Sequence, residues 1–259
     1  MNTTKDYQGL AARVYDAIWE GEYDDLPFYS WLLGTPRGRL LELGCGTGRI
    51  LLPLSMEGWS CEGVDASSDM LAICQCKADE DNLPINLHRQ RMEKLNLDGK
   101  FDRIIIPGFT FHHLTDPALA RRTLQRIVRH LKPRGRLVLS LFLPWETLQS
   151  RNDGSWRLRS EANLEEGGTI LGHESVSVDP VHQLMTVWNR YEVLDSAGEI
   201  QDQALVRNHL RWYGLEEFSL LLREAGFRKI DVYGDFAPSP PTADSTFLTF
   251  DARPGRTKT

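Results

Sequence analysis

Between residues 37 and 145 short apolar runs alternate with amphipathic stretches of helical period, the pattern of a parallel sheet wound with helical crossovers. Strands are expected at Arg39 to Leu43, Trp59 to Val64, Ile85 to Arg89, Asp102 to Pro107 and Arg136 to Leu143. The helix before the last of these is the clearest. Asp116 caps it, Pro117 takes its first turn, and Leu124, Ile127, Val128 and Leu131 form one stripe before Lys132-Pro133-Arg134-Gly135 stops it. After Pro144 the period falls to two over Thr169 to Val178, Val181 to Leu194 and Ile200 to Tyr213, divided by Asp179-Pro180 and by Asp195-Ser196-Ala197-Gly198. That is an antiparallel meander. Helical spacing returns at Phe218, Leu221, Leu222 and Ala225, ends at Gly226, and leads into strands at Arg228 to Tyr233 and Thr246 to Ala252. The expected organisation is an N-terminal helical cap over 1–36, a ligand-binding core over 37–145, the inserted meander over 146–213, completion of the core sheet over 214–252, and a polar tail over 253–259.

Composition narrows the function classes. The 259 residues are 41% hydrophobic and 25% charged, ordinary globular usage that excludes disorder and fibrous architecture. A formal charge of -6 disfavours nucleic-acid partners, because proteins that grip phosphate backbones carry the opposite sign. No apolar run reaches the ~18 residues of a membrane span, and the N-terminus lacks an apolar signal stretch, so a cytoplasmic protein without a membrane partner is expected. Cys45, Cys61, Cys74 and Cys76 contain no C-x-x-C pair and are read as reduced thiols; no metal is expected.

Leu40 to Ile50 reads LLELGCGTGRI: an apolar strand running into Gly44, Gly46 and Gly48 and then a helix. Glycines suit a sharp strand-to-helix turn that a ligand must approach closely, so a nucleoside-like ligand is expected there. The third glycine comes one residue too early for a dinucleotide fingerprint, since position 49 is arginine. The next strand ends in Asp65, whose carboxylate can accept hydrogen bonds from both ribose hydroxyls, ahead of a helix that Ser67 or Ser68 caps.

LELGCGTGR, VDASSDML, FDRIIIP and FHHL, in that order and spacing, resemble the class I S-adenosylmethionine-dependent methyltransferases. The likeness is good over residues 7–145 and moderate over 211–236, and it is greatest to small-molecule methyltransferases such as the sugar N,N-dimethyltransferases, whose N-terminal Tyr-Asp segment corresponds here to Tyr15-Asp16. The resemblance implies an α/β, Rossmann-like seven-stranded sheet with its last strand antiparallel, an inserted antiparallel β lid and an N-terminal helical cap. It implies S-adenosyl-L-methionine as cofactor, with Gly44, Cys45 and Gly46 under its methionine part, Asp65 on the ribose, and Ala66 and Met70 flanking the adenine. Tyr15, Tyr23, Glu42, Arg49, Pro107 and Gly108 complete that expected set. Many relatives carry an aspartate after the third strand, where this chain has Gln90-Arg91-Met92-Glu93; Arg91 and Met92 are expected to bracket the adenine instead.

Methyl transfer from a sulfonium is an in-line displacement, so alignment supplies most of the acceleration and a base matters only where the acceptor must lose a proton. His113, which the resemblance places at an active-site histidine, is the expected base or proton relay, with Tyr15 beside the sulfonium. Tyr7, His112, Trp145, Arg211, Asp235 and Phe236 are expected on the substrate side; Arg207, His209, Arg211 and Tyr213 share one strand face, which either turns inward or is solvated. Trp156, Trp188 and Trp212 are further pocket candidates. The expected activity is methylation of an oxygen or nitrogen of a small-molecule acceptor in a biosynthetic pathway, by a monomer or homodimer. The alternatives are a macromolecular methyltransferase, acting on protein or RNA, and a non-catalytic cofactor-binding regulator.

Overall fold

The computed structural model describes residues 3–4, 7–19, 24–149, 154–164 and 167–255. Its main sheet has seven strands: β2 (Arg39–Leu43), β3 (Ser60–Asp65), β4 (Asn86–Arg89), β5 (Phe101–Ile106), β6 (Leu131–Phe142), β11 (Phe227–Gly234) and β12 (Phe247–Pro254), in the order β11-β12-β6-β5-β2-β3-β4. β12 runs antiparallel to both β6 and β11, and the other pairings are parallel. The central strands are apolar along their whole length because helices cover both faces. Leu41, Leu43, Ile104 and Ile106 face one core, while Leu40 and Ile105 face the other. β6 begins earlier than the apolar run suggested, because Leu131 pairs with Phe101 across a register shift.

The crossovers are α4 (Leu51–Met56), α5 (Ser68–Glu80), α6 (Pro117–His130) and α8 (Leu215–Ala225). The Asp116 carboxylate accepts from Ala118 N at 2.8 Å to cap α6, and Ser67 Oγ accepts from Met70 N at 3.2 Å to cap α5. Gly226 ends α8 at φ 113°, a conformation that favours glycine. N-terminal helices α1 (Leu10–Arg13), α2 (Tyr15–Trp19) and α3 (Leu26–Leu33) precede the sheet, and the short α7 (Trp145–Gln149) follows β6.

The second sheet orders β1 (Thr3–Thr4), β10 (Ile200–Arg211), β9 (Leu184–Leu194), β8 (Thr169–Asp179) and β7 (Arg157–Asn163). β7 to β10 form the antiparallel meander, and β1 adds a parallel edge to β10. β7 and β1 were not expected from the sequence. RLRSEAN has no apolar alternation because β7 is a largely exposed edge. One face of this sheet packs Ile170, Tyr191 and Val206 against Leu10, Ala11, Val14 and Ile18. Among the described residues no helix is long and apolar enough to cross a membrane, and no three potential metal-ligating side chains cluster.

Candidate active site

At the carboxyl edge of β2 the chain turns through Gly44, Gly46 and Gly48, all at positive φ (76°, 54° and 89°). Two of them are also closely packed. A Cβ on Gly44 would come within 2.2 Å of Thr110, and one on Gly48 within 2.7–2.8 Å of Leu52 and Cys74. At Gly46 the nearest atom would be Met70 Cε at 3.4 Å, so that backbone is open to a ligand. Gly44 N and Cys45 N donate to Val64 O at 2.7 and 3.1 Å, tying the loop to β3. Asp65 then accepts from Gly46 N (2.9 Å) and Ser67 N (2.8 Å). One oxygen of its carboxylate is oriented by each amide.

Beneath the loop, Glu42 is buried with Oε2 unpartnered, and burial holds its carboxyl well above the usual carboxylate range, only partly offset by the nearby Arg49 guanidinium. Arg49 makes a bidentate ion pair with the buried Asp25, at 2.5 and 3.0 Å. Asp25 was missed in the sequence: an aspartate before Leu26-Pro27 reads as a helix cap, but its side chain makes no cap bond to α3. Thr47 Oγ1 and Lys77 Nζ both donate to Asp16, at 2.6 and 2.5 Å, and this fastens α2 to the loop and to α5. Cys45 and Cys74 are buried free thiols in hydrogen-bonding contact with each other.

Beside Asp65 lies a cavity of about 470 Å³ lined by Gln8, Ala66, Arg89, Gln90, Arg91, Lys94 and Asn96. Ala66 and Arg91, expected beside the adenine, both line it. Gln90, at the position where many relatives carry aspartate, exchanges two hydrogen bonds with the Asn96 backbone, at 3.0 and 3.1 Å. Met92 does not line this cavity; its partly buried side chain packs against the main core.

Tyr15 lies against Tyr7, edge to face with centroids 5.1 Å apart, and against Trp19 at 6.4 Å. Arg49, Asp16 and Asp65 all act on its hydroxyl, whose pKa burial raises far above the ordinary value. Tyr7 is held from the other side, its carbonyl accepting from Ser67 Oγ at 2.5 Å. Tyr23 falls outside the described residues.

β5 ends at Ile106 and Pro107-Gly108 follows, with Gly108 at φ 59° and facing Arg49. The following 3-10 turn, Thr110–His113, separates two adjacent histidines. His113 is exposed at the sheet's carboxyl edge. His112 is wholly buried, with Nδ1 bonded to Arg211 O at 2.7 Å and Nε2 accepting from Phe142 N at 3.0 Å. This corrects its expected substrate role. Both nitrogens are spent on main chain, and burial lowers its pKa to about 3, so it is a neutral cross-link between β6 and β10.

Arg211 is likewise corrected. Its guanidinium donates to His182 O (3.0 Å) and Gln183 Oε1 (3.0 Å) and pairs with Glu217 at 3.4 Å, tying β10 to α8. Arg207 and His209 lie on the outer face, where Arg207 covers Trp188 and Arg190 covers Trp156. Asp235, at φ 49°, is exposed and accepts at Oδ1 from Thr246 N and Phe247 N at 2.8 and 2.9 Å, so that oxygen closes the β11–β12 connection. Trp145 is 44% exposed, and its indole donates to Ser245 O at 3.1 Å. Trp212 is buried with Met185 and Val187.

Of a phenylalanine wall at this edge the sequence reading named only Phe236. Phe109 and Phe236 stack on Phe247 at 5.1 and 5.2 Å, and Phe109 meets Phe142 edge-on at 5.5 Å. All four are partly exposed, and Phe109 (φ 59°) and Phe236 (φ 52°) have left-handed backbones, which are unusual for bulky residues and cluster at functional sites. Three chain segments form this wall, and no single stretch of sequence carries the signal.

The edge fits S-adenosylmethionine. Gly46 leaves its backbone uncovered, Asp65 offers a carboxylate oriented by two amides, and the Ala66–Arg91 cavity adjoins both. Residues 40–135 match a family model described as a methyltransferase domain. The YqeM chain of Bacillus subtilis (strain 168), whose own methyltransferase name is provisional, is 28% identical over 97% of this chain and 98% of its own length. A Streptomyces fradiae enzyme named dTDP-3-amino-3,6-dideoxy-α-D-glucopyranose N,N-dimethyltransferase is 28% identical over 66% of each chain. The CcbJ methyltransferase of Streptomyces caelestis shares the fold, with TM-score 0.79 and 23% identity over 97% of this chain and 98% of that one. Residues 40–135, which hold the glycine loop and Asp65, thus form a methyltransferase domain, and the chain carries it on the fold of the S-adenosylmethionine-dependent methyltransferases.

Proposed function

We propose that the enzyme methylates a nitrogen or oxygen of a small-molecule acceptor in a biosynthetic pathway, and that the acceptor sits between the carboxyl edge of the main sheet and the second sheet. The observation that carries this reading is the position of Tyr15. Its hydroxyl lies within reach of the charges of Arg49 and Asp65, while its ring packs on Tyr7, which reaches Tyr191 and Asn208 of the second sheet. Two N-terminal tyrosines thus span from the cofactor edge to the meander, which acts as a lid. The resemblance to a sugar N,N-dimethyltransferase supports an enclosed small acceptor.

When bound, S-adenosylmethionine supplies a methyl group already activated on a sulfonium. The chain's own residues bind and align. Asp65 holds the ribose hydroxyls, Ala66 and Arg91 flank the adenine, and Arg49, fixed by Asp25, sets positive charge beside Gly108 for the methionine carboxylate. Tyr15 and Tyr7 keep water from the reacting centre. His113 holds or accepts, at a ring nitrogen, the proton that a hydroxyl or ammonium acceptor gives up. Transfer from radiolabelled S-adenosylmethionine to a library of amine and hydroxyl metabolites tests this reading. Label found only on protein or RNA would overturn it.

A further inference from the structure

The cavity beside Asp65 has a lining of one chemical character. Part of it follows β4, which ends at Arg89, and the parallel register sets Arg89 directly beside Asp65. Gln90 N then donates to Asp65 O at 3.0 Å. The chain turns through Met92–Lys94 and is clamped from behind: the carbonyl of the fully buried Leu95 accepts from Arg126 Nη1 at 2.9 Å, and Leu97 N donates to His130 Nε2 at 3.2 Å. Arg89, Arg91 and Lys94 therefore stand on a backbone held by β3 and α6, and they line one opening with Gln8, Ala66, Gln90 and Asn96. Among the described residues that line it there is no carboxylate. Three cations about one opening repel one another and focus a positive potential there, which a chain of net charge -6 does not produce by composition alone.

The hydrogen-bonding inventory is equally one-sided. Arginine and lysine side chains only donate, and those of Arg89 and Lys94 make no hydrogen bond or ion pair among the described residues. Gln90 is already engaged at both ends, its Nε2 donating to Asn96 O at 3.1 Å and its Oε1 accepting from Asn96 N at 3.0 Å. The carboxamides of Gln8 and Asn96 offer an acceptor or a donor, whichever end is turned to a ligand. A purine joined through N9 to a ribose on Asp65 directs the far edge of its ring, positions 1 and 6, into this lining. Adenine carries an amine at position 6, whose two N–H donors meet cations and no fixed acceptor. A 6-oxo purine carries a carbonyl there, which accepts from arginine and lysine, while its N1–H is met by a carboxamide oxygen. Selectivity follows the mismatch, because a donor facing a donor is penalised where a carbonyl in its place is bound.

We propose that Arg89 and Lys94 set the base specificity of the cofactor site by reading an acceptor at the purine 6-position, so that S-inosylhomocysteine, the 6-oxo counterpart of S-adenosylhomocysteine, binds at least as well as S-adenosylhomocysteine itself. Affinity for the natural cofactor then comes from its ribose and methionine ends, at Asp65 and the glycine loop. This rests on the S-adenosylmethionine reading of the edge, and goes beyond it by assigning what the base end recognises.

The test is calorimetric. S-adenosylhomocysteine and S-inosylhomocysteine are titrated separately into the full wild-type chain and into the double variant Arg89→Met, Lys94→Met, which keeps much of each side chain's length and removes its donors. In wild type S-inosylhomocysteine is expected to bind within about threefold of S-adenosylhomocysteine or more tightly. The double variant should shift the ratio of the two affinities about tenfold towards S-adenosylhomocysteine, the loss of a charge-assisted bond to the 6-carbonyl. Binding of S-adenosylhomocysteine with S-inosylhomocysteine more than about threefold weaker in wild type, or a ratio unmoved in the folded double variant, would overturn the assignment and leave the cofactor reading standing. Binding of neither ligand to wild type would bring down the cofactor reading and this assignment with it.

Discussion

The two sheets solve different problems. The main sheet buries both faces, and its carboxyl edge leaves few polar groups idle: Gly44, Cys45, Gly46 and Ser67 all donate to β3 or to Asp65, and Arg49 is matched to Asp25. The second sheet has one face of arginines stacked on tryptophans and another where apolar contacts are interrupted by Glu174, Asn189 and Asn208. The difference separates an edge that holds a carboxylate in place with rigid amides from a sheet whose inner polar groups dock the N-terminal segment, as Asn208 does by its hydrogen bond with Tyr7.

The largest expected effect falls on the histidine pair that lies between the sheets. His113→Ala should lower kcat by about 10² to 10⁴ with little change in cofactor affinity if the acceptor must lose a proton, and steady-state kinetics on the identified acceptor would show it. An unchanged kcat would remove His113 from the reaction. His112→Ala should act on stability instead, costing about 2–3 kcal/mol in urea unfolding through two lost buried hydrogen bonds. The pH dependence separates them further. The pKa of His112 lies at about 3 in the folded chain, so the unfolded chain takes up its proton first as pH falls below about 6.5. Its contribution is therefore fully present above that pH and is lost progressively between about 6.5 and 3, amounting to about 2 kcal/mol by pH 5. His112→Asn should flatten that loss.

Glu42 titrates with the opposite sign. Its folded carboxyl keeps a proton that the unfolded chain has released, so stability is present below the ordinary carboxylate range and falls as pH rises through the raised folded value. Glu42→Gln should raise the neutral-pH unfolding midpoint by about 1 kcal/mol and weaken its pH dependence. Asn208→Leu should lower thermal stability by a similar amount, about 1 kcal/mol, since it takes from the buried Tyr7 hydroxyl its Asn208 hydrogen bond. An unchanged or higher Tm would contradict that role for Asn208. The smallest effect is expected on the outer face, where Arg207→Ala should cost less than about 1 kcal/mol, the range of an exposed cation–π pair.

Much of the main sheet was legible in sequence because parallel strands buried on two sides read as unbroken apolar runs, and β2 begins and ends where that pattern does. The glycine loop and Asp65 were legible for a local reason: turn, close approach and carboxylate all lie within about twenty residues. The phenylalanine wall was not, since Phe109, Phe142, Phe236 and Phe247 meet only after β5, β6 and β12 are aligned. Arg49 and Asp25 pair across 24 positions, and nothing near either residue signals it. His112 and His113 are neighbours whose fates diverge because a single 3-10 turn points one into the β6–β10 seam and leaves the other exposed. Arg211 read as a substrate ligand because alternation gives a face but not its covering, and Glu217 of α8 supplies that covering.

The central claim, that the edge between Gly44 and Asp65 holds S-adenosylmethionine, is most directly tested by titrating S-adenosylhomocysteine into wild type and Asp65→Ala in the calorimeter. One site per chain is expected in wild type. The variant should be at least 100-fold weaker, the sum of two charge-assisted bonds of roughly 1.5–3 kcal/mol each. Equal affinity in a folded Asp65→Ala, or saturable binding of NAD with none of S-adenosylhomocysteine, would contradict it.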